Sequence, residues 1–346
     1  MNIHLMVKKA IAYPLYCCNK IGRTLQKNER NDFLILMYHR IIDKRASETY
    51  VQSGMQVDPI TFSKQIHYIK ENFHVVPLEN VSGVHGSKNI MPNRKPVCVL
   101  TFDDGWKDFY ENAYPVLRSN NVFATVFLPT GIIGTKKRFW TEDLAYVLSG
   151  MKRPGKSAGS VESLSDSIGN KIERMEGSIE DRIEKSIEAL KILPTEEIDR
   201  IIHELAEKWQ VDPSVQERSF LSWEEAREMQ ESGVIFFGSH TKSHRILSAA
   251  PENLVRDELI QSKNKLIEEG VVSPSFVPFA YPNGNYTHRI AEMVEKAGYS
   301  LALTTEKGWN GVTKNKGELY RLKRIGIHQD VTSTNAMFAC RIYGIY

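Results

Sequence analysis

The stretch LTFDDGWKD, Leu100–Asp108, ends the apolar run PVCVL with two adjacent aspartates, Asp103 and Asp104. Like charges side by side repel, so each carboxylate needs its own partner or its own task. A second polar cluster, HTKSH, follows the apolar run VIFFGS and carries His240 and His244 four residues apart. On a helical turn that spacing brings both imidazoles to one side. Two neutral imidazoles and one carboxylate suit a divalent cation with a coordination position left for water, the pattern of catalytic zinc. Each pair alone has an ordinary explanation: a turn or cap for Asp-Asp, a solvent-facing helix surface for the histidines. Their joint placement just beyond apolar runs makes the chemical reading specific.

Those runs read as strands: DFLILMYH (32–39), VCVLTF (97–102), FATVFLP (123–129), VIFFGSH (234–240), SFVPFAYP (275–282), YSLALTT (299–305) and LYRLKRIGIH (319–328). Helical spacing fills the intervals at 62–73, 106–121, 141–150 with Thr141 as N-cap, 222–233 with Ser222 as N-cap, 251–270 and 287–298. Such alternation predicts an α/β fold of mostly parallel strands with helices outside, closed or nearly closed into a barrel. Functional residues of such barrels collect beyond the C-terminal ends of the strands. No G-x-G-x-x-G follows a strand, which disfavours a dinucleotide-binding sheet. Residues 152–171 are rich in Ser, Gly and charge and read as a loop. Residues 172–210 read as two helices separated by Pro194, with Thr195 as a cap. The expected plan is an N-terminal basic, amphipathic segment (1–31), a barrel domain (32–330) with a helical insertion (151–218), and a C-terminal helix or tail (331–346).

The chain has 346 residues, enough for a sizeable core, and a formal charge of only +3, which gives no case for a nucleic-acid partner. Its four cysteines, Cys17, Cys18, Cys98 and Cys340, show neither a disulfide framework nor a cysteine zinc site. The N-terminus starts basic and carries a short apolar patch interrupted by Pro14. A cleavable signal needs a longer apolar region and small residues at the cleavage site, so an uncleaved segment in peripheral contact with a membrane surface is expected. The expected location is cytoplasmic, including the inner face of the membrane, with export through an atypical signal left open.

TFDDG (101–105) and HTKSH (240–244) resemble the first two motifs of the polysaccharide deacetylase family, carbohydrate esterase family four: Thr/Ser-Phe-Asp-Asp-Gly and His-Ser/Thr-x-x-His. LMYHRI (36–41), FW (139–140), FAYPNG (279–284) and LKRI (322–325) resemble one branch of that family. The likeness runs from about residue 32 to about residue 328. It implies a distorted (β/α) barrel, a divalent metal that is usually zinc, and removal of N- or O-acetyl groups from glycans. By the resemblance Asp104, His240 and His244 would bind the metal, and Asp103 would stay unliganded as general base. A cation beside Asp104 would also relieve the repulsion between the two carboxylates. The Asn283 N–H would be the oxyanion donor, with Thr101 and Thr241 as supporting partners.

The pattern breaks in two places. The family's third motif carries an arginine that orients the base, and Ala280 stands in its position here. Arg324 is the candidate replacement, set against a purely structural salt bridge. The family's general acid is the histidine of a Leu-x-His motif; GIH (326–328) offers His328 but has Gly326 in place of Leu. The acidic residues of a further motif are not evident in TTEKGWN, where Trp309 is a candidate sugar-stacking wall. Trp106 either walls the site or simply packs, His39 is expected to be a hydrogen-bonded structural residue, and His288 reads as helix surface. The leading expectation is a metal-dependent deacetylase of an N-acetylated glycan or a lipid-linked saccharide. A cytosolic amidohydrolase of small molecules and a catalytically silent glycan-binding barrel are the alternatives.

Overall fold

The computed structural model describes residues 32–44, 50–82, 95–150, 171–172, 175–215, 217–311 and 315–345, with 12 and 14. The expected membrane-touching segment lies outside them, apart from residues 12 and 14, as does nearly all of the 152–171 loop. No described helix is long and apolar enough to cross a membrane.

Ten strands are described: β1 (Phe33–Tyr38), β2 (Arg40–Ile41), β3 (Gln56–Val57), β4 (His74–Val75), β5 (Val97–Phe102), β6 (Ala124–Leu128), β7 (Ile235–Ser239), β8 (Pro278–Ala280), β9 (Leu301–Leu303) and β10 (Ile325–Gly326). The main sheet runs β10-β1-β5-β6-β7-β8-β9 with every pairing parallel, and β4 adds to the start of β5. β2 and β3 form a separate parallel pair. All six residues of β5 are buried, as a parallel strand covered on both faces requires. Helices connect most successive strands of the main sheet, and the result is the distorted (β/α) barrel expected from the sequence.

The segment Leu322–Gly326 touches both edges of the sheet. Leu322 bridges Leu303 of β9, while Ile325 and Gly326 pair with Leu36 and Met37 of β1. Arg324 sits between these two anchor points. Register then sets what meets at the rim. Thr101 pairs with Met37, and Met37 with Gly326. Asp103, His39 and His328 therefore each lie two residues beyond the same level.

Several sequence-based boundaries differ. The run 319–328 is not one strand: Lys316–Arg321 is a 3-10 turn and only Ile325–Gly326 is strand. Its alternating apolar residues suit a turn packing on the core as well as an extended strand. Phe109–Ala113 forms a π-turn ahead of the helix Tyr114–Asn120, where Pro115 takes the first turn. The helix Trp140–Gly150 starts one residue before Thr141, and Pro194 rather than Thr195 caps Thr195–Trp209. Ser222 does cap Trp223–Glu231, in a reciprocal capping box with Glu225.

The chain divides into two compact units. One, Met1–Asp43, Ser53–Thr135 and Phe220–Tyr346, contains the whole sheet. The other, Lys44–Gln52 and Lys136–Ser219, begins before residue 151 and also takes in a short earlier stretch. Helices Trp140–Gly150, Ile179–Leu190 and Thr195–Trp209 bury Leu144, Leu148, Ile183, Leu190, Ile201 and Leu205 in a core of its own.

Gly238 in β7 has no room for a side chain. A Cβ there would lie 2.6 Å from the Phe127 ring and 2.8 Å from the Pro278 carbonyl oxygen. Gly238→Ala is expected to cost about 1–3 kcal/mol of stability through overpacking, read as a lower urea midpoint with an unchanged slope.

Candidate functional site

Three chain segments leave the sheet at the rim and converge. Asp103 follows β5, and its N–H donates to the Tyr38 carbonyl at 3.0 Å, continuing the ladder by one residue. The chain then turns sharply: Asp104 has φ 75° and Gly105 φ 66°. This left-handed step sends the adjacent side chains to different partners.

Asp104 faces the histidines. His240 Nε2 lies 3.4 Å and His244 Nε2 3.2 Å from the same oxygen, Asp104 Oδ1. The two rings are 4.8 Å apart. The turn between them is not helical: Thr241 has φ 64° and His244 φ 60°, so the spacing works through left-handed backbone. Each such non-glycine residue costs about 1–3 kcal/mol. His240 Nδ1 is 2.8 Å from the Ala280 carbonyl oxygen, which directs Nε2 to the cluster. One ligand atom from each of Asp104, His240 and His244 lies within 4.8 Å of the others. Two ring nitrogens converging on one carboxylate oxygen are a donor set that fits a divalent cation.

Asp103 faces the other way. Arg324 Nη1 donates to Asp103 Oδ1 and Nη2 to Oδ2, both at 2.7 Å, a bidentate pair. Arg324 is 0% and Asp103 3% exposed. Arg324 Nε donates to the Thr304 carbonyl at 2.8 Å, and Nη1 reaches Thr101 Oγ1 at 3.4 Å. The Thr101 hydroxyl donates to the Leu36 carbonyl at 2.7 Å. Arg324 thus extends across the rim from the segment that joins β9 to β1 and meets the residue after β5.

The electrostatics follow from this layout. Burial alone would raise the Asp103 carboxyl, but the Arg324 charge, helped by His240 and His39, holds it below its ordinary value. Burial also opposes ionisation of Asp104, and the His240 and His244 contacts outweigh it, keeping that group well below the carboxylate range. Burial would lower His240, yet Asp104, Asp103 and the Ala280 carbonyl together raise it. At His39 burial wins and the pKa is lowered, against the pull of Asp104 and Asp103. His39 is therefore close enough to the aspartates to feel both.

Trp106 has a part that its place in the sequence does not reveal. Its indole N–H donates to Asp104 Oδ2 at 2.9 Å. The ring stacks on Phe220, 4.5 Å between centroids, and the Arg40 guanidinium lies 4.3 Å above it. Arg40 is itself fixed by Asp108 at 2.8 Å. An aromatic two residues after Asp104 is the only sequence signal for this.

The remaining candidates have other contacts. His328 Nδ1 lies 3.3 Å from Asp330, and the Asn283 amide is 3.5 Å from the Asn285 side chain. Asn283 has φ 55° in a turn whose Gly284 has no room for a side chain, since a Cβ would lie 2.0 Å from Thr305 Oγ1. Trp309 is not a wall of this site. Its indole donates to the Ile342 carbonyl at 3.0 Å and its ring packs near Phe73 and Tyr343. Its neighbour Asn310 bridges Phe33, the first residue of β1, so the chain after β9 has returned to the opposite end of the strands. His288 is an exposed helix residue, 3.8 Å from Glu292.

A family profile described as polysaccharide deacetylase matches residues 91–302. The chain belongs to the polysaccharide deacetylase family. It is accordingly a hydrolase of that kind, and the matched stretch contains Asp103, Asp104, His240 and His244 but neither Arg324 nor His328. The chain is 23% identical over 294 residues to the putative polysaccharide deacetylase YxkH of Bacillus subtilis, covering 85% of this chain and 70% of that one. Over 102 residues it is 26% identical to the poly-β-1,6-N-acetyl-D-glucosamine N-deacetylase of Escherichia coli K12, covering 29% of this chain and 14% of that protein. In fold it is similar to IcaB from Ammonifex degensii, with a TM-score of 0.56, 18% identity, and 89% and 97% of the two chains covered.

Breaking a buried ion pair from one side leaves an uncompensated charge and costs about 3–5 kcal/mol. Arg324→Met is expected to lose about that much at neutral pH. In the native protein the depressed Asp103 pKa contributes stability that is complete above the unfolded value and is lost as pH falls through the folded one. Without Arg324, burial raises Asp103, and the penalty shrinks as acid protonates it. The gap between wild type and variant, measured by urea unfolding, should therefore narrow on acidification. A gap independent of pH would show that Asp103 is not the charge Arg324 serves.

Proposed function

We propose that this protein is a metal-dependent deacetylase that hydrolyses N-acetyl groups on a glycan, with O-acetyl groups as the lesser substrate. The observation that carries the reading is the adjacent pair of aspartates divided between two environments. Asp104 stands with two histidine Nε2 atoms, and Asp103 stands in a bidentate pair with a buried arginine.

Asp104, His240 and His244 would hold the cation, with zinc as the proposed metal. When bound, such a cation acts as a Lewis acid and makes a nearby water a better nucleophile. The remaining work belongs to the chain. Asp103 would accept the proton of the water that attacks the acetyl carbonyl, and Arg324 keeps it ionised and aimed. Both Asp103 oxygens retain a lone pair beyond those engaged by Arg324. Trp106 fixes the outer oxygen of Asp104, so that Oδ1 stays turned to the histidines. The Asn283 N–H is the proposed donor to the carbonyl oxygen as it gains charge. His328, held by Asp330, is the proposed proton donor to the departing amine.

The proposed substrate is an N-acetylhexosamine glycan, supported by the partial likeness to an enzyme acting on poly-β-1,6-N-acetyl-D-glucosamine. A lipid-linked saccharide is a narrower version of the same substrate. Acetate release should be measured across N-acetylated glycans, their lipid- or nucleotide-linked units and small acyl-amides, with protein stripped of metal and restored with zinc. The reading expects release from a glycan that is lost on stripping, recovered on restoration, and reduced by at least about a thousandfold in Asp103→Asn. Release from small acyl-amides alone would favour the amidohydrolase. Activity that survives complete stripping would contradict the metal.

Trp106→Phe keeps the ring and removes the hydrogen bond to Asp104. It should weaken zinc binding by about 10-fold or more, measured by chelator competition. Zinc competes with protons for the imidazole nitrogens, and because His240 is raised above its ordinary value that competition reaches to higher pH, so affinity should fall as pH is lowered.

A further inference from the structure

The His240–His244 turn contains two left-handed non-glycine residues, and something must hold it in that shape. A buried carboxylate outside the proposed reaction does so. Glu258, on the inner face of the helix Glu252–Glu268, is 4% exposed. Its Oε2 accepts from the Lys242 N–H at 2.8 Å and the Ser243 N–H at 2.9 Å, and its Oε1 accepts from the Ser243 hydroxyl at 2.6 Å. All three donors lie between the two histidines. One helical turn further on, Ser262 donates to the Thr241 carbonyl at 3.0 Å and pairs with Ser239 at 2.7 Å. The Thr241 N–H donates to Ser239 Oγ at 3.2 Å.

We infer that Glu258 is a positioning residue that sets the separation of the two histidine ligands. Consecutive backbone N–H groups curved by left-handed neighbours form an anion-binding concavity, and here the anion is a side chain of the same protein. Charge-assisted hydrogen bonds from three donors can offset the strain at Thr241 and His244, which the turn alone could not sustain. The helix therefore acts as a template: it fixes Lys242 and Ser243, and these fix the residues on either side. The hydrogen bonds of Glu258 go to Lys242 and Ser243, so its effect reaches the cluster through the backbone between the histidines. This inference rests on the reading of Asp104, His240 and His244 as a metal site.

The test is zinc affinity of the full chain by chelator competition, with glycan KM measured at saturating zinc. Glu258→Ala removes all three acceptor contacts and should weaken zinc binding at least tenfold. Glu258→Gln keeps an acceptor for the two N–H groups and should stay within about threefold of wild type. KM should be unchanged in both, because the glycan does not meet this residue. Folded Glu258→Ala with wild-type zinc affinity would overturn the inference while leaving the metal reading intact. Wild-type protein that binds no zinc would overturn the metal reading, and this inference with it. If Glu258→Ala fails to fold, Ser243→Ala decides: Ser243 is exposed, and removing its hydroxyl should weaken zinc binding by about threefold or more, whereas unchanged affinity overturns the role.

Discussion

A guanidinium with no solvent exposure must find its charge partner inside the protein, and for Arg324 that partner is Asp103. Each ion would be costly to bury alone, and the pair is tolerable because its geometry is bidentate and the remaining donors are used. Arg324 also donates to the Thr304 carbonyl and reaches Thr101, so the guanidinium ties the end of β9 to the end of β5. The pair is at once a joint of the barrel rim and the electrostatic setting of the proposed base. Ala280 carries no charge, and the guanidinium beside Asp103 comes instead from Arg324, in the segment just before β10.

That arrangement also answers why two aspartates stand side by side. The positive φ at Asp104 rotates its side chain away from that of Asp103, so each carboxylate faces its own partners. Asp104 gathers two histidines and an indole N–H, and Asp103 gathers an arginine. Around them the scaffold supplies rigidity by polar contacts that reach in from neighbouring elements. Arg40 and Phe220 clamp Trp106 on two faces. Glu258 and Ser262 brace the histidine turn from one helix. Few of these residues would be chosen for chemistry, yet they determine where the reactive atoms sit.

The legible part of this site was what lies in contiguous sequence at strand ends. The strand 97–102 and its trailing aspartates are visible because a buried parallel strand is an unbroken apolar run with an abrupt polar end. The histidine pair shows in its spacing, but that spacing suggests a helical turn where Thr241 and His244 are left-handed. Arg324 could be named only as a substitute for a missing residue; its contact with Asp103 depends on how Leu322–Gly326 spans from β9 to β1. Trp106 and Glu258 were not legible in these roles, because their partners are set by three-dimensional reach rather than by type. Trp309 is not legible either, because nothing in TTEKGWN shows that the chain doubles back to the other end of the strands. The alternating apolar pattern of 319–328 fits a packed 3-10 turn as well as a strand, so the length of the last strand is not legible.

The central claim is that a buried arginine from the closing segment holds Asp103 ionised. Its most direct test is a carboxyl carbon-13 NMR titration of the aspartates in metal-free protein, with the Asp103 signal assigned by its loss in Asp103→Asn. The account predicts that Asp103 titrates below about 3.9, the ordinary aspartate value. A value at or above that would mean burial outweighs Arg324, and the proposed setting of the base would be wrong.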